Sequence, residues 1–576
     1  MTAYDAWRLP DSLPAGAARG LHRHPLVGEL LFRRGIRAAD EADRFLDPMI
    51  GDPPDTSRVP GMDEAVGRVL AAVRGDERIA VFGDYDADGI TSTAILVLAL
   101  WAATGGQDSV VARLPRRDEG YGLNRAGIDE LRATGASLLI VVDCGSGDHD
   151  HVLYARSVGF DVMILDHHQM APDDVGPAGA ILVSAQVPGW EDAPERRLSA
   201  AGLSYLLVSA IANEGASVTT AGNETDYQDL ATLGTVADVS SLTDINRRLV
   251  KDGIAVIRSR PRVGIAALCE VAGIDPRQVD AAAISFKLAP RLNAAGRMGD
   301  PQIALDLMLT DDPREAKRLA EEIERINLRR RVESDRILVE AEAHLRADPD
   351  ARDRPVVIVR GEGWTSGVLG IVANKLVERY RRPVIVLDDS GGLSHGSARS
   401  VPGFDIARAL ADPTCLGLLT RHGGHGQAAG VALPSEQVPA LVAALGERVA
   451  ALGLTFPLPD VLEIDAVVRR EDISLDTVRD IRSLEPFGRG NEAPVLLLSN
   501  VPVVKYTVIG RDRSHLKFQV RVGGRELPVL AWGAADRGQE LLRDPRVDVA
   551  LTLEEDAWNG RPRLQAIARD FRPAIG

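Results

Sequence analysis

Cysteine is scarce in this sequence. Cys144, Cys269 and Cys415 are scattered, and no C-x-x-C pair occurs among the 576 residues. That excludes a disulfide framework and a thiolate zinc site, and makes a reducing cytoplasm the expected compartment. No apolar run reads as long enough to span a bilayer, and the N-terminus lacks a charged-then-apolar pattern. Neither a membrane anchor nor a signal peptide is therefore expected. Aromatic residues make up only 4% of the chain, so any base-stacking platform is small. Positive charge is short as well: the formal net charge is −16 and the pI near 5.3, the opposite of the usual signature of a nucleic-acid binder. Local charge is the relevant quantity, however. Arginine greatly outnumbers lysine, with Arg116, Arg117, Arg291, Arg297, Arg399 and the run Arg329-Arg330-Arg331 placed near the motifs below. Phosphate-binding forks explain that bias and a GC-rich genome explains it equally well; the triplet reads as the solvated face of a helix. The length suits three or four domains with substantial cores.

What the chain has in quantity is aspartate at the ends of apolar runs. Four segments carry it: Val81-Phe82-Gly83-Asp84-Tyr85-Asp86-Ala87-Asp88-Gly89, Val141-Val142-Asp143-Cys144-Gly145, Ile164-Leu165-Asp166-His167-His168 and Gly234-Thr235-Val236-Ala237-Asp238. The first also has the D-x-D-x-D-G opening of an EF-hand loop. That loop needs a glutamate at its twelfth position, where Ile95 stands, and a preceding helix, where the strand-like Ile79-Ala80-Val81-Phe82 stands. The calcium reading fails, leaving strand, acidic turn, then an Ala/Leu-rich helix over about 90–103.

The same grammar recurs at 138–142, 162–165 and 180–183, apolar runs alternating with helical stretches. This predicts a parallel sheet covered on both faces, with its ligand crevice beyond the carboxyl ends of the strands. Three acidic turns fall at that end. Asp238 arrives from a helix or turn carrying Leu230, Leu233 and Val236. Two like charges ~4 Å apart cost roughly 1 kcal/mol in water and about 4 at an effective dielectric of 20, so Asp86, Asp88, Asp143 and Asp238 together call for cations. A lone aspartate at a strand end is usually a turn former; four in matched context point to a binuclear metal site and phosphate-ester hydrolysis.

At these residues the chain resembles the DHH phosphoesterase superfamily and, more narrowly, the RecJ single-stranded-DNA exonucleases. Asp166-His167-His168 is the name-giving motif, and Gly83-Asp84-Tyr85-Asp86-Ala87-Asp88-Gly89-Ile90-Thr91-Ser92-Thr93 is close to the RecJ form of the first. Leu233-Gly234-Thr235-Val236-Ala237-Asp238 matches the fourth. Arg291-Leu292-Asn293-Ala294-Ala295-Gly296-Arg297 and Leu484-Glu485-Pro486-Phe487-Gly488-Arg489-Gly490-Asn491 are RecJ-type elements. The resemblance implies two Mn²⁺ or Mg²⁺ ions, one on Asp86 and Asp143, the other on Asp88, Asp143, His167 and Asp238, with Asp143 bridging. It implies supporting roles for Asp84 and Asp166, and His168 facing the scissile phosphate. Where some superfamily members carry a further histidine ligand, this chain has Phe82. DNA contacts are expected at Arg117 (or Arg116), Arg291, Asn293, Arg297, Ser397 and Arg399, with His425 near the scissile phosphate.

Downstream, residues 311–347 read as one long connecting helix, started by Thr310-Asp311-Asp312-Pro313 and bearing a thin apolar stripe. A second α/β unit follows, with strands at 356–359 and 384–387, a Gly-rich loop at 361–370 and a helix over 368–379. Gly396-Ser397-Ala398-Arg399-Ser400 and Gly423-Gly424-His425-Gly426-Gln427-Ala428-Ala429-Gly430 resemble the DHH-associated (DHHA1) substrate domain. Their glycines let backbone amides approach an oxyanion. From 459 onward, β-rich segments at 461–468, 495–508, 515–522, 526–532, 547–553 and 563–568 suggest a small barrel. In RecJ this is an oligonucleotide/oligosaccharide-binding (OB) barrel, and Tyr506, Phe518, Trp532 and Trp558 are its candidate stacking residues.

The expected fold is α/β: a helical cap (1–75), a parallel-sheet DHH domain (76–310), the connecting helix (311–347), a DHHA1 domain (353–456) and an OB-like barrel (459–576). The expected activity is 5′→3′ exonucleolysis of single-stranded DNA to 5′ mononucleotides in repair and recombination. The implied enzyme is cytoplasmic and monomeric, with a single-strand-binding protein and a repair helicase as candidate partners and no further partner-binding domain after Gly576. Two rivals remain: a phosphoesterase for short oligonucleotides or cyclic dinucleotides, and an inactive single-strand-binding relative.

Overall fold

A computed structural model describes residues 3–50, 53–218, 227–543, 546–556 and 562–574. After a short strand β1 (Ala6–Arg8), the first sheet contains β2 (Ile79–Phe82), β3 (Val110–Arg113), β4 (Leu138–Val142), β5 (Asp161–Leu165) and β6 (Ile181–Val183). All are parallel, in the order β3-β2-β4-β5-β6. The edge strand β3 was not legible, because Val110-Val111-Ala112-Arg113 is half-buried and its apolar run stops short. Side chains of β2 and β4 alternate between two cores, as the pleat requires. Ile79, Val81, Ile140 and Val142 enter one core; Ala80, Phe82, Leu139 and Val141 enter the other.

The helix after β2 spans Ala87–Thr104 and begins inside the acidic turn, three residues before the expected start, because Asp86 caps it. Contrary to the expectation of no membrane-length apolar segment, this helix has the length and hydropathy of one, but 72% of it is buried within the protein. It is the central helix of the larger core.

The connecting helix runs Pro313–Ala347, with Asp312 accepting from the Arg314 N–H and Pro313 at the first turn. Ala316, Leu319, Ala320 and Ile323 are buried in the first core, and Ile337, Ala341 and Leu345 in that of the second domain. A thin stripe suffices because each end is buried in a different body. The helix is a strut.

The second domain pairs β7 (Val357–Gly361) and β8 (Val384–Ser390) in parallel, then adds β9 (Leu393–Arg399), β10 (Arg421–His425) and β11 (Ala428–Pro434) antiparallel, in the order β10-β11-β9-β8-β7. Two expectations are corrected. The Gly-rich stretch 361–370 is a loop only to Thr365, since a helix spans Ser366–Tyr380 and takes in Gly367 and Gly370. The glycines of 396–400 and 423–430 lie mainly in strands rather than in anion-binding loops. A Cβ on Gly396 would stand 1.9 Å from the Val386 carbonyl oxygen, so glycine there permits close strand approach.

The C-terminal body has β12 (Val461–Glu463), β13 (Ala466–Val467), β14 (Leu496–Ile509), β15 (His515–Val522), β16 (Arg525–Ala531), β17 (Arg546–Asp556) and β18 (Arg563–Pro573). Strands β14-β15-β16-β18-β17 close through the β14–β17 pairing into a five-stranded barrel. The segment 461–468 is not one strand: β12 leaves the barrel to pair in parallel with β1. Phe518 is fully buried in the barrel core and Tyr506 half-buried against it, so neither is a free stacking surface. Trp532 is exposed, edge-on to His515, and Trp558 lies outside the described residues.

The first 75 residues do not form one cap. Leu26, Val27, Leu30, Leu31 and Ala42 are buried in the barrel core, whereas the helix Met62–Arg74 is buried in the first domain. The sequence shows amphipathic helices there but not which core receives them. Arg247 makes the corresponding tie from the catalytic side. It is 3% exposed, donates to the carbonyls of Phe45, Leu484 and Glu485 at 2.8–2.9 Å, and stacks on the Phe45 ring. Three bonds at about 1 kcal/mol each make Arg247→Ala worth about 3 kcal/mol. The substitution is expected to lower the melting temperature and to accelerate hydrogen exchange at 484–491. Unchanged exchange there would show that Arg247 does not tie these bodies together.

Candidate metal centre

The sheet order changes direction of growth between β2 and β4, and there the strand ends part to leave a crevice. β2 delivers Asp84, which is 4% exposed, with an Oδ1 that finds no hydrogen-bond partner. Asp86 caps the Ala87–Thr104 helix, its Oδ1 accepting from the Asp88 and Gly89 amides at 2.9 and 3.1 Å. Asp88 is 2% exposed, and its two oxygens accept from the Ala200 and Ala201 amides at 2.8 and 2.9 Å, at the start of the helix Ala200–Asn213. From β4, the Asp143 amide donates to the Leu165 carbonyl at 3.0 Å, one step past the strand. The backbone then turns at φ +63°, swinging this carboxylate into the crevice. A non-glycine residue in that region is strained by about 1–2 kcal/mol, a cost of the kind found at functional sites.

From β5, Asp166 is saturated. Ser146 donates from its amide and hydroxyl (3.1 and 2.6 Å), and His168 from its amide and Nδ1 (3.1 and 2.8 Å). His167 Nε2 is 3.1 Å from Asp143 Oδ1 and 3.7 Å from Asp88 Oδ2, and its Nδ1 is 3.9 Å from Asp238 Oδ2. Asp238 follows the helix Gln228–Ala237. That helix crosses against Asp88 so closely that a Cβ on Gly234 would lie 2.6 Å from Asp88 Oδ1 and 2.4 Å from Thr91 Oγ1. Only glycine fits at that position of the fourth motif.

These residues form overlapping sets of potential ligand atoms lying within 4.8 Å of one another: Asp84, Asp86 and Asp143; Asp88, His167 and Asp238; and Asp143, His167 and His168. Hard oxygens with one or two imidazoles suit Mn²⁺ or Mg²⁺, and the orphaned Asp84 Oδ1 is the partner such an ion lacks. Asp84, expected in support, thus lies in one of the groups whose atoms could hold an ion. Phe82 turns its ring to the opposite face of the sheet, against Leu123 and Ile128, and offers the crevice nothing.

Burial, then the charges of neighbouring aspartates, raises the pKa of Asp84 and Asp143 and lifts Asp88 to about 7; burial also raises Asp238, against the lowering effect of His167 and the Ser240 hydroxyl. Asp166 differs. Burial pushes it up, but the bond and charge of His168 and the Ser146 hydroxyl outweigh burial and hold it below the usual carboxylate range. Burial lowers His168, yet Asp166 more than reverses this and brings it to about 9.

Opposite the carboxylates stand arginines. Arg117 lies over the Tyr85 ring, 4.5 Å from its centroid, and donates to the Gly296 carbonyl. Arg297 donates to the Gly367 carbonyl and Arg399 to that of Ala398. Burial and then the charge of Arg117 lower Arg297, to about 10, and Arg399. Among the described residues none of the three has a carboxylate within 4 Å. Arg116 faces outward to Asp118, which leaves Arg117 as the arginine of that stretch in the cleft. His425 lies on β10; burial, then the charges of His168 and Arg399, lowers its pKa. Ser397 lies on β9, two residues before Arg399.

Two residues expected to contact DNA have protein partners in this structure. Arg291 pairs with Glu324 of the strut at 2.7 Å, and Asn293 Oδ1 accepts the Ala87 amide at 2.8 Å, bracing the acidic turn. Within the arginine triplet, Arg330 is half-buried and donates to Asn327 rather than lying on a fully solvated face. Tyr121 was missed. Its hydroxyl lies 3.1 Å from both the Asp143 carbonyl and His168 Nδ1, and its only sequence signal is the flanking pair Gly120 and Gly122, both at positive φ.

Three family models match the chain: the DHH family N-terminal domain over 78–235, the DHHA1 domain over 353–451 and the RecJ OB domain over 464–570. The single-stranded-DNA-specific exonuclease RecJ of Thermus thermophilus is 36% identical over 98% of this chain and 78% of its own length. Its Escherichia coli counterpart is 32% identical over 95% of this chain and 96% of its own. The crystal structure of the Thermus thermophilus protein in complex with Mn²⁺ superposes with a TM-score of 0.82 at 32% identity, over 99% of this chain and 80% of that one. A second crystal structure of that protein contains Mg²⁺.

The raised carboxylates fix a pH dependence. In the unfolded chain they titrate near 3.9, so above that pH the metal-free folded state holds more protons than the unfolded one and loses stability as pH rises. His168, raised to about 9, acts in the same direction between about 6.5 and 9. The chelated protein is therefore expected to melt at lower temperature at about pH 8 than at about pH 5, and Mn²⁺ to raise the melting temperature more at the higher pH. Thermal shift with and without Mn²⁺ checks this, and a metal effect independent of pH would contradict it.

Proposed function

The chain belongs to the RecJ family of single-stranded-DNA-specific exonucleases, and from that membership we propose that it removes 5′ mononucleotides in the 5′→3′ direction using two Mn²⁺ or Mg²⁺ ions. Asp84, Asp86 and Asp143 would hold one ion; Asp88, His167, Asp238 and the bridging Asp143 the other. The observation that carries this reading is the neighbourhood of buried carboxylates and Arg117, Arg297 and Arg399, none of which has a carboxylate within 4 Å among the described residues. A cation site beside an anion site is what a phosphodiester needs on its two sides.

Bound divalent ions supply Lewis acidity and neutralise charge at the scissile phosphate. The chain's own groups do the rest. Arg399, Arg117 and Ser397 take the terminal 5′ phosphate, which fixes how many nucleotides reach the carboxylates. Arg297, pinned to the Gly367 carbonyl, joins the two walls of the cleft. Asp166 holds the Nδ1 proton of His168, and with a pKa near 9 this imidazolium is a hydrogen-bond donor at neutral pH. It thus faces the phosphate with positive charge, oriented by the Tyr121 hydroxyl. His425 borders the far side.

The same reading makes the enzyme a cytoplasmic monomer, with a single-strand-binding protein and a repair helicase as candidate partners. The free, buried Cys144, Cys269 and Cys415 suit a reducing compartment.

A single strand labelled at its 3′ end, incubated with Mn²⁺, is expected to shorten stepwise from the 5′ end. Asp143→Ala should slow this by about 10³-fold or more, equivalent to about 4 kcal/mol. Binding without cleavage in every divalent metal would make the protein a single-strand-binding scaffold. Faster cleavage of dinucleotides than of long strands would make it a small-substrate phosphoesterase. Arg399→Ala is expected to raise KM for 5′-phosphorylated strands more than it lowers kcat, and to narrow the difference from 5′-hydroxyl strands. Equal loss on both termini would remove Arg399 from the phosphate pocket.

A further inference from the structure

The motif Leu484-Glu485-Pro486-Phe487-Gly488-Arg489-Gly490-Asn491 lies on the barrel side of the molecule, yet its tip touches the loop that leaves the metal centre. Gly488 and Asn491 exchange both backbone hydrogen bonds at 3.0 Å, making a tight turn with Arg489 and Gly490 at its tip. The Arg489 carbonyl accepts the Leu242 amide at 2.8 Å. A Cβ on Gly490, itself at φ +77°, would lie 2.4 Å from Ser241 Oγ, and one on Gly488 2.7 Å from Leu242 Cδ1. The turn has a rigid base. Asn491 is 1% exposed, donates to the Leu484 and Pro486 carbonyls at 2.8 Å and accepts from Arg34 at 2.8 Å, while Arg247 holds Leu484 and Glu485 from the catalytic side.

The loop it touches needs support. Val239, directly after Asp238, sits at φ +59°, and the Ser240 amide reaches back to the Thr235 carbonyl at 3.2 Å. This is the glycine-favouring end of a helix, occupied here by a β-branched residue, which is a costly occupant of that conformation. Ser240 then donates its hydroxyl to Asp238 Oδ2 at 2.7 Å. The carboxylate's orientation thus hangs on a strained loop whose far end is clamped between the first core, through Leu242, and the barrel turn.

The structure assigns residues 488–491 of the barrel turn as a positioning element for Asp238, acting through Ser241 and Leu242. This rests on reading Asp238 as a metal ligand. The turn packs the 239–242 loop into the strained path that aims Asp238 at His167, so the metal centre is completed by a segment more than two hundred residues away in sequence.

The test uses the full-length chain and Mn²⁺ affinity measured by calorimetry and electron paramagnetic resonance, alongside kcat and melting temperature. Gly490→Ala drives a methyl against Ser241 and is expected to weaken Mn²⁺ binding about tenfold or more, the usual effect of disturbing an outer partner of a ligand. Gly524→Ala is the control, since it lies in another barrel turn at φ +81° with nothing within 4 Å of its Cβ; it should leave Mn²⁺ affinity unchanged. Ser241→Ala in the Gly490→Ala background removes the struck oxygen and should restore most of the affinity. Asp238→Asn separates the two readings. If it leaves Mn²⁺ binding at the wild-type level, Asp238 is not a ligand and both readings fall. If it weakens binding while Gly490→Ala behaves like Gly524→Ala, the ligand reading stands and the positioning role is overturned. A loss in Gly490→Ala that Ser241→Ala does not relieve also overturns it, because the effect would then not travel through the loop.

Discussion

The carboxylates of Asp84, Asp88 and Asp143 lie almost wholly out of water, with Asp86 and Asp238 beside them, and their mutual repulsion governs how everything around them is built. At about 4 kcal/mol per close pair in a protein-like dielectric, such a cluster cannot persist ionised without compensation. The protein supplies some of it through main-chain amides: two on Asp88 from a helix start, two on Asp86 within its own cap. These are neutral dipoles, and they leave the raised pKa values in place. What remains is the charge of divalent ions, which is why folding, metal uptake and proton release are one coupled equilibrium here.

Holding the cluster together requires helices to approach the acidic turn more closely than side chains allow. Glycine meets that need at a few points. A Cβ on Gly296 would strike the Tyr85 carbonyl at 2.1 Å, one on Gly234 would strike Thr91 and Asp88, and one on Gly367 would strike the Arg297 carbonyl at 2.2 Å. The first and last of these contacts form a relay. The acidic turn is pressed by the helix Ala289–Met298, that helix by the start of Ser366–Tyr380, and this last belongs to the second domain. The width of the cleft is therefore set by backbone contacts, not by flexible side chains. The strut reinforces this by burying one end in each core.

The first sheet was legible because buried parallel strands write continuous apolar runs, and its acidic turns because aspartate clusters after such runs are rare. The glycine motifs of the second domain were misread for an equally physical reason. Glycine more often marks a turn than a strand, and nothing local in Gly396 or Gly424 signals that close strand approach is its purpose. Arg291 and Asn293 stand within a recognisable motif, yet one is neutralised by Glu324 and the other braces the Ala87 amide. A motif records that residues act together without recording which one meets the substrate. Tyr121, Arg247 and the divided N-terminal segment were invisible because their partners lie far away in sequence, where neither period nor spacing carries information.

The remaining tension is a nucleic-acid enzyme with a net charge of −16. It resolves in where the arginines are neutralised. Along the strut, Arg318, Arg325, Arg336 and Arg346 each pair with a glutamate one turn away. Exposed pairs of that kind add little stability, but they remove positive charge from a surface that would otherwise compete for phosphate. Among the described residues Arg117, Arg297 and Arg399 have no such partner, and they stand near the candidate metal centre. An acidic exterior repels a polyanion at a distance, and that repulsion is screened beyond about 8 Å at physiological salt. Inside the cleft these guanidiniums would act at shorter range and lower dielectric, which suits them to the strand-binding role proposed for them. Global charge then discourages loose adsorption of duplex, while the local pattern admits a strand end, which is the selectivity that an exonuclease requires.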